Sequence, residues 1–255
     1  MMKFSCYGKT DVGRKRELNE DSFAVLDEER VFVVADGMGG HNAGEVASSI
    51  AIETIVNFFR ASKEDEDMTW PYKMDPNLSI EANKLKVGIK FANRKIFRVA
   101  QGNASYSGMG TTIVAMLLLE NGPLYIAHVG DSRCYRYADG AISQVTEDHS
   151  LVNEYVKAGQ LTPEQARNFP HKNVIMRALG MKENVLVDVL ERPVSKGEIY
   201  FACSDGLSDM VTDDDMAAIL AESKNLREAA DKLIDRANAN GGKDNISVVL
   251  LRIDE

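Results

Sequence analysis

Six carboxylates stand where strands should begin or end: Glu20, Asp21, Asp36, Asp131, Asp205 and Asp244. The clearest setting is Val31-Phe32-Val33-Val34-Ala35-Asp36-Gly37-Met38-Gly39-Gly40, where an apolar, β-branched run stops at an acid and a glycine-rich turn. Gly130-Asp131 follows Leu124–Val129, and Ser204-Asp205-Gly206 follows Ile199–Cys203. Any one of these acids is an ordinary turn residue. Strand ends that converge would instead crowd several carboxylates into one cleft, with Arg16 as the one obvious local cation. Carboxylates so placed repel and resist ionisation. Hard divalent cations that prefer oxygen ligands, Mg2+ or Mn2+, relieve that repulsion. The four histidines and three cysteines make no zinc pattern.

Other chemistries fall away. Cysteine-dependent phosphatases need Arg at the sixth position after the nucleophile; after Cys6, Cys134 and Cys203 those places hold Val12, Gly140 and Asp209. The three thiols read as buried and structural. Gly8-Lys9-Thr10 ends like a P-loop, but Lys3 stands where its first glycine belongs. A net charge of −9 argues against nucleic-acid partners. The longest wholly apolar run, Ile113 to Leu119, is far below the roughly 20 residues of a membrane span. The amino terminus has no signal-peptide core, so a cytoplasmic protein without membrane contact is expected.

The elements that must position the acids follow from periodicity. Strands are expected at 3–8, 22–26 and 31–35, the last two joined as a hairpin by Asp27-Glu28-Glu29-Arg30, which would bring Glu20 and Asp21 beside Asp36. Asn42 and Glu45 resemble a capping box before an amphipathic helix over 43–60. An acidic loop from Ser62 to Pro76 carries the only tryptophan, Trp70, as its anchor. Leu85, Ile89, Ala92, Ile96 and Val99 mark a second helix. A meander follows: 113–119, the turn Asn121-Gly122, 124–129, then 134–137, Asp139-Gly140 and 141–145. Short helical pieces occupy 150–180, strands resume at 185–190 and 199–203, and helices at 212–220 and 225–238 precede a final strand, 246–253. The chain is therefore α+β.

These residues carry a family resemblance. Arg16-x-x-Asn19-Glu20-Asp21, Asp36-Gly37-Met38-Gly39-Gly40-His41 with Gly44-Glu45, Gly110-Thr111-Thr112, Val129-Gly130-Asp131-Ser132-Arg133, Ser204-Asp205-Gly206-Leu207 and Asp244-Asn245 occur in this order. Together they resemble the metal-dependent serine/threonine protein phosphatases of type 2C (the PPM family), in a bacterial form. The resemblance implies a four-layer αββα sandwich of two antiparallel sheets flanked by helix pairs. It implies one catalytic domain over 1–255 with a flap at about 150–180. It implies two Mn2+ or Mg2+ ions per chain and room for a third. By motif, Asp36 bridges two metals, Asp205 and Asp244 hold one, and Glu20 and the Gly37 carbonyl hold the other. Asp131 and Asp205 match the ligands of a third. Asp21 orients the attacking water and Arg16 grips the phosphate.

The implied reaction is hydrolysis of phosphoserine and phosphothreonine in proteins by a metal-activated water. The implied partners are phosphorylated proteins and a cognate serine/threonine kinase, and the implied state is a monomer. The alternative is a noncatalytic relative that binds phosphoprotein or metal; the retained Arg16, Glu20, Asp36, Asp205 and Asp244 argue against it. Met38 departs from the pattern, because many eukaryotic members carry histidine there. His41 and a water on the third metal stay open as proton donors. His149 reads as a loop residue, and His171 and Arg177 are unassigned.

Overall fold

The computed structural model describes residues 2–40, 43–65, 69–70, 72–167, 169–170 and 174–255. The strands are β1 (Phe4–Asp11), β2 (Asp21–Leu26), β3 (Val31–Met38), β4 (Gly110–Thr111), β5 (Ile113–Leu118), β6 (Leu124–Val129), β7 (Arg133–Ala138), β8 (Ala141–Gln144), β9 (Asp188–Arg192), β10 (Ile199–Cys203) and β11 (Ile246–Ile253). The helices are α1 (Ala43–Glu64), α2 (Ile80–Gly102), α3 (Leu151–Lys157), α4 (Pro163–Arg167), α5 (Asp205–Ser208), α6 (Asp213–Glu222) and α7 (Leu226–Ala239).

Two antiparallel sheets result. One runs β1-β11-β10-β7-β8, and the other β2-β3-β5-β6-β9, with β4 added beside the end of β3. Residues that alternate along a strand point to opposite faces. In β3, Phe32 and Val34 pack between the sheets with Val114, Met116, Tyr200 and Val249. Val31, Val33 and Ala35 point the other way, into a core shared with Ile55 and Phe59 of α1 and Leu85 and Ile89 of α2. Phe201, Val248 and Leu250 turn from the first sheet towards Leu220 of α6 and Leu233 of α7. The layers are thus helix pair, sheet, sheet, helix pair. Both faces of the central strands are buried, which is why they read as unbroken apolar runs.

The expected hairpins form. β2 pairs with β3 so that Asp21 stands opposite Asp36. Arg30 closes that turn with a positive φ of 56°, and Asp139-Gly140 joins β7 to β8 with φ of 53° and 79°. Asn121-Gly122 lies between β5 and β6 as expected, although neither residue adopts a positive φ. The connection is longer than two residues, closed by Leu119 N–H donating to the Pro123 carbonyl at 3.2 Å.

Some boundaries differ from the sequence reading. α2 starts at Ile80, capped by Ser79, whose Oγ accepts from Ala82 N–H at 3.1 Å. Its first turn, Ile80-Glu81-Ala82-Asn83, lies one turn ahead of Leu85, where the apolar stripe becomes plain. Cys134 and Cys203 are buried, but Cys6 is half-buried, 2.9 Å from an Asp27 carboxylate oxygen. Trp70 packs edge-on against Phe58 at 6.1 Å, anchoring its loop to α1. The expected capping residue Asn42 lies outside the described residues.

Candidate metal centre

Asp36 ends the apolar part of β3, and its backbone is gripped from the neighbouring strands. Asp36 N–H donates to Thr112 Oγ1 at 3.1 Å, while its carbonyl accepts from Thr111 Oγ1 and Thr112 N–H, each at 2.8 Å. These bonds give Gly110-Thr111-Thr112 its structural sense. Thr112 Oγ1 also lies 2.6 Å from Ser132 Oγ, linking the Asp36 strand end to the turn that carries Asp131.

Glu20 and Asp21 reach the same place from β2 and the segment before it. Asn245 binds this segment: its Oδ1 accepts from Glu20 N–H at 2.8 Å, and its Nδ2 donates to the Val12 and Leu18 carbonyls, each at 2.9 Å. Asp244, beside it, therefore arrives next to Glu20. Gly37 N–H donates to the Glu20 carbonyl at 3.1 Å. A Cβ on Gly37 would lie 2.1 Å from the Gly44 carbonyl oxygen, so only glycine allows this approach. Asp205 opens the short helix α5 at the end of β10.

The electrostatics show that the acids converge. Burial pushes the Asp36 carboxyl well above the usual carboxylate range, helped by Asp21, Asp205, Asp131 and Asp244. Burial raises Asp21 to about 7, although Ser247 and Ser204 hydroxyls stabilise its charge. Asp131 is raised to about 7 by burial and then by Asp205 and Asp148. Burial and then Asp244 raise Asp205 to about 6, offset by a side-chain hydrogen bond with Asp36. Burial also raises Glu20. Two carboxyl groups in hydrogen-bonding contact must share a proton or a cation.

The donor atoms fit a hard cation. Glu20 Oε1, Asp21 Oδ1 and Asp131 Oδ1 are buried and have no hydrogen-bond partner among the described residues. Such orphaned acceptors are costly unless something positive meets them. All are oxygens, as Mg2+ and Mn2+ require. Arg16 supplies one guanidinium, but its Nη2 donates to Asp244 Oδ2 at 2.7 Å. Arg133, near Asp131 in sequence, is spent on both carboxylate oxygens of Asp148 at 2.7–3.0 Å.

Glu20, Asp21, Asp36, Gly37, Asp131, Asp205, Asp244 and Arg16 are therefore brought to one cleft. Beside Asp131 and Asp205 it opens into a cavity of about 940 Å³, lined also by Val156 of α3 and Asp213 of α6. Ser204, which donates to Asp21 Oδ2 at 2.8 Å, along with Thr112 and Asn245, had no role in the sequence reading. His41 lies outside the described residues.

Comparison with known proteins gives the same family. A profile described as protein phosphatase 2C matches residues 11–247. The chain is 38% identical to the serine/threonine phosphatase stp of Listeria monocytogenes serovar 1/2a over 253 residues, covering 96% of this chain and 94% of that one. The Mycobacterium tuberculosis serine/threonine phosphatase PstP/Ppp superposes with a TM-score of 0.86 at 34% identity, covering 99% of both chains. The PstP catalytic domain in complex with two manganese ions superposes with a TM-score of 0.80 at 33% identity, again over 99% of both. Ordered motifs, two-sheet topology and end-to-end similarity agree: this chain belongs to the protein phosphatase 2C family.

Proposed function

We propose that this chain hydrolyses phosphoserine and phosphothreonine in proteins, using divalent cations held by the strand-end acids. The observation that carries the reading is the set of orphaned, buried carboxylate oxygens on Glu20, Asp21 and Asp131 around Asp36. Relatives across the full length named as serine/threonine phosphatases support it.

Asp36, Asp205 and Asp244 would hold one cation, Asp36, Glu20 and the Gly37 carbonyl a second, and Asp131 with Asp205 a third. The ion is Mn2+ or Mg2+, two per chain with space for one more. Bound there, such cations lower the pKa of water and neutralise charge on the phosphoryl oxygens. Asp21 keeps Oδ2 on Ser204, and its Oδ1 would accept a hydrogen bond from the attacking water and so orient it. Arg16 turns its guanidinium to the phosphate, where a planar fork engages two oxygens. Met38 has no proton to give the leaving alkoxide.

The remaining parts of the reading are one catalytic domain whose 150–180 segment is a flap, acting as a monomer in the cytoplasm opposite a serine/threonine kinase. Among the described residues no helix is long and apolar enough to cross a membrane. A phosphothreonine peptide incubated with the full chain should release phosphate with Mn2+ and none with excess chelator. Turnover that resists the chelator would sink the reading.

A further inference from the structure

His128, His149 and Asp188 bring three potential ligand atoms within 4.8 Å of one another. The hydrogen bonds of His149 leave it no nitrogen for a cation, although His128 Nδ1 has no partner among the described residues. His128 Nε2 lies 2.9 Å from the Glu147 carbonyl oxygen, which can only accept, so that nitrogen carries the proton. Gly130 N–H donates to His149 Nδ1 at 3.0 Å, so the His149 proton sits on Nε2, 3.0 Å from Asp188 Oδ2. A metal on Nε2 would force that proton to Nδ1, against another N–H. It would also meet Arg177, whose Nη1 is 2.8 Å from Asp188 Oδ1 and 3.1 Å from His149 Nε2.

The same bonds describe a support. His149 holds both backbone groups of Gly130: its Nδ1 accepts from Gly130 N–H, and its own N–H donates to the Gly130 carbonyl at 2.9 Å. Gly130 has a φ of 112°, and the next residue is Asp131. The ring is buried and stacks on His128 at 4.6 Å with a 19° tilt. Its outer edge is fixed by Asp188 and Arg177. Its carbonyl accepts from Met176 N–H at 2.8 Å, and beside it Leu151 N–H donates to the Val174 carbonyl at 2.9 Å. His149 thus joins both roots of the 150–180 segment to the Asp131 turn.

We propose that His149, oriented by Asp188 and Arg177, is a positioning residue that fixes the Gly130–Asp131 turn and so sets how well Asp131 takes a cation. This rests on Asp131 being a metal ligand. His149→Leu removes the acceptor for Gly130 N–H. His149→Asn keeps a side-chain oxygen near the place of Nδ1. Asp188→Asn leaves the ring in place but takes charge from its outer partner.

Mn2+ binding to the full chain, followed by calorimetry and by the signal of free Mn2+ in electron paramagnetic resonance, tests the inference without any turnover. Asp131→Asn should remove the weakest binding step. His149→Leu should weaken that same step by roughly 10- to 100-fold, the usual effect of losing a ligand's support, and leave the tighter steps alone. His149→Asn should restore most of the loss, and Asp188→Asn should give a smaller shift in the same direction even if the leucine variant folds poorly. Loss of the step in Asp131→Asn with none of these shifts in the His149 and Asp188 variants overturns the positioning role alone. Unchanged Mn2+ binding in Asp131→Asn overturns the ligand reading and takes the inference with it.

Discussion

Arg16 donates from Nη2 to Asp244 Oδ2 at 2.7 Å, so the guanidinium proposed to hold phosphate is paired with an acid proposed to hold metal. Both side chains are well exposed, and such pairs are worth less than about 1 kcal/mol. Cation and phosphate arriving together therefore separate the pair at small cost. Arg16→Ala should lower kcat/KM for a phosphothreonine peptide by roughly 30-fold, the equivalent of about 2 kcal/mol for a charge-assisted contact. The same variant should bind Mn2+ at least as tightly, because Asp244 is released. Steady-state kinetics beside a Mn2+ titration separates the two effects, and weakened Mn2+ binding would contradict the roles assigned here.

Asp36→Asn removes the proposed bridge while preserving the shape of the side chain. Turnover should fall by roughly 10³-fold or more, to the level seen with chelator. Without metal, the variant should melt no lower than the parent at about pH 8, because one crowded carboxylate has been neutralised. Circular dichroism melts check the second expectation independently of the first.

The raised acids also set the sign of the pH dependence. Asp205 near 6, and Asp21 and Asp131 near 7, all bind their protons more tightly folded than unfolded. Their stabilising contribution is complete below the unfolded value of about 3.9 and is lost as pH rises through 6–7. In chelator, the melting temperature should therefore fall between about pH 5 and about pH 8. Mn2+ should flatten that fall, and at 100 times its Kd it should add about 2.7 kcal/mol if it binds the folded chain alone. A metal-free protein that gains stability over the same pH range would show that the acids do not crowd.

Gly44 is a quieter test of the same geometry. A Cβ there would stand 2.4 Å from Glu20 Oε1, the far end of a side chain able to swing aside, and 2.9 Å from the Gly37 carbonyl carbon. Gly44→Ala should therefore cost less stability than a Cβ at Gly37, yet displace the Glu20 carboxylate and weaken Mn2+ binding by roughly tenfold or more. Gly37→Ala instead drives a Cβ into the Gly44 carbonyl at 2.1 Å. Backbone cannot swing aside, and the expected loss is about 1–3 kcal/mol or more of stability. Urea midpoints and Mn2+ affinities for the two variants should diverge in opposite order.

The acids themselves were legible in the sequence, since apolar runs that stop at Asp-Gly or Gly-Asp mark strand ends, and the Asp27–Arg30 turn placed Asp21 against Asp36. The groups that hold them were not. Ser204 meets Asp21 across 183 residues of chain, and Asn245 meets Glu20 across 225. A lone serine or asparagine carries no local sign of a partner so distant. His149 was passed over for the same reason: its meaning lies in Gly130, Asp188 and Arg177, which only the folded sheet assembles. α2 starts at Ile80, a turn ahead of Leu85, where the apolar stripe becomes plain, although its cap residue Ser79 stood in plain view.

The paired roots of the 150–180 segment have a consequence for how this protein can change over time. His149 meets Met176, Ser150 bridges Ile175, and Leu151 meets Val174, so the chain leaves and re-enters the sandwich at one point. Such an excursion closes on itself. Lengthening or exchanging its interior leaves the spacing between Asp131 and Asp205 untouched, because those acids hang from strands outside the loop. Its interior can therefore be rewritten while the acids that would hold the cations keep their places.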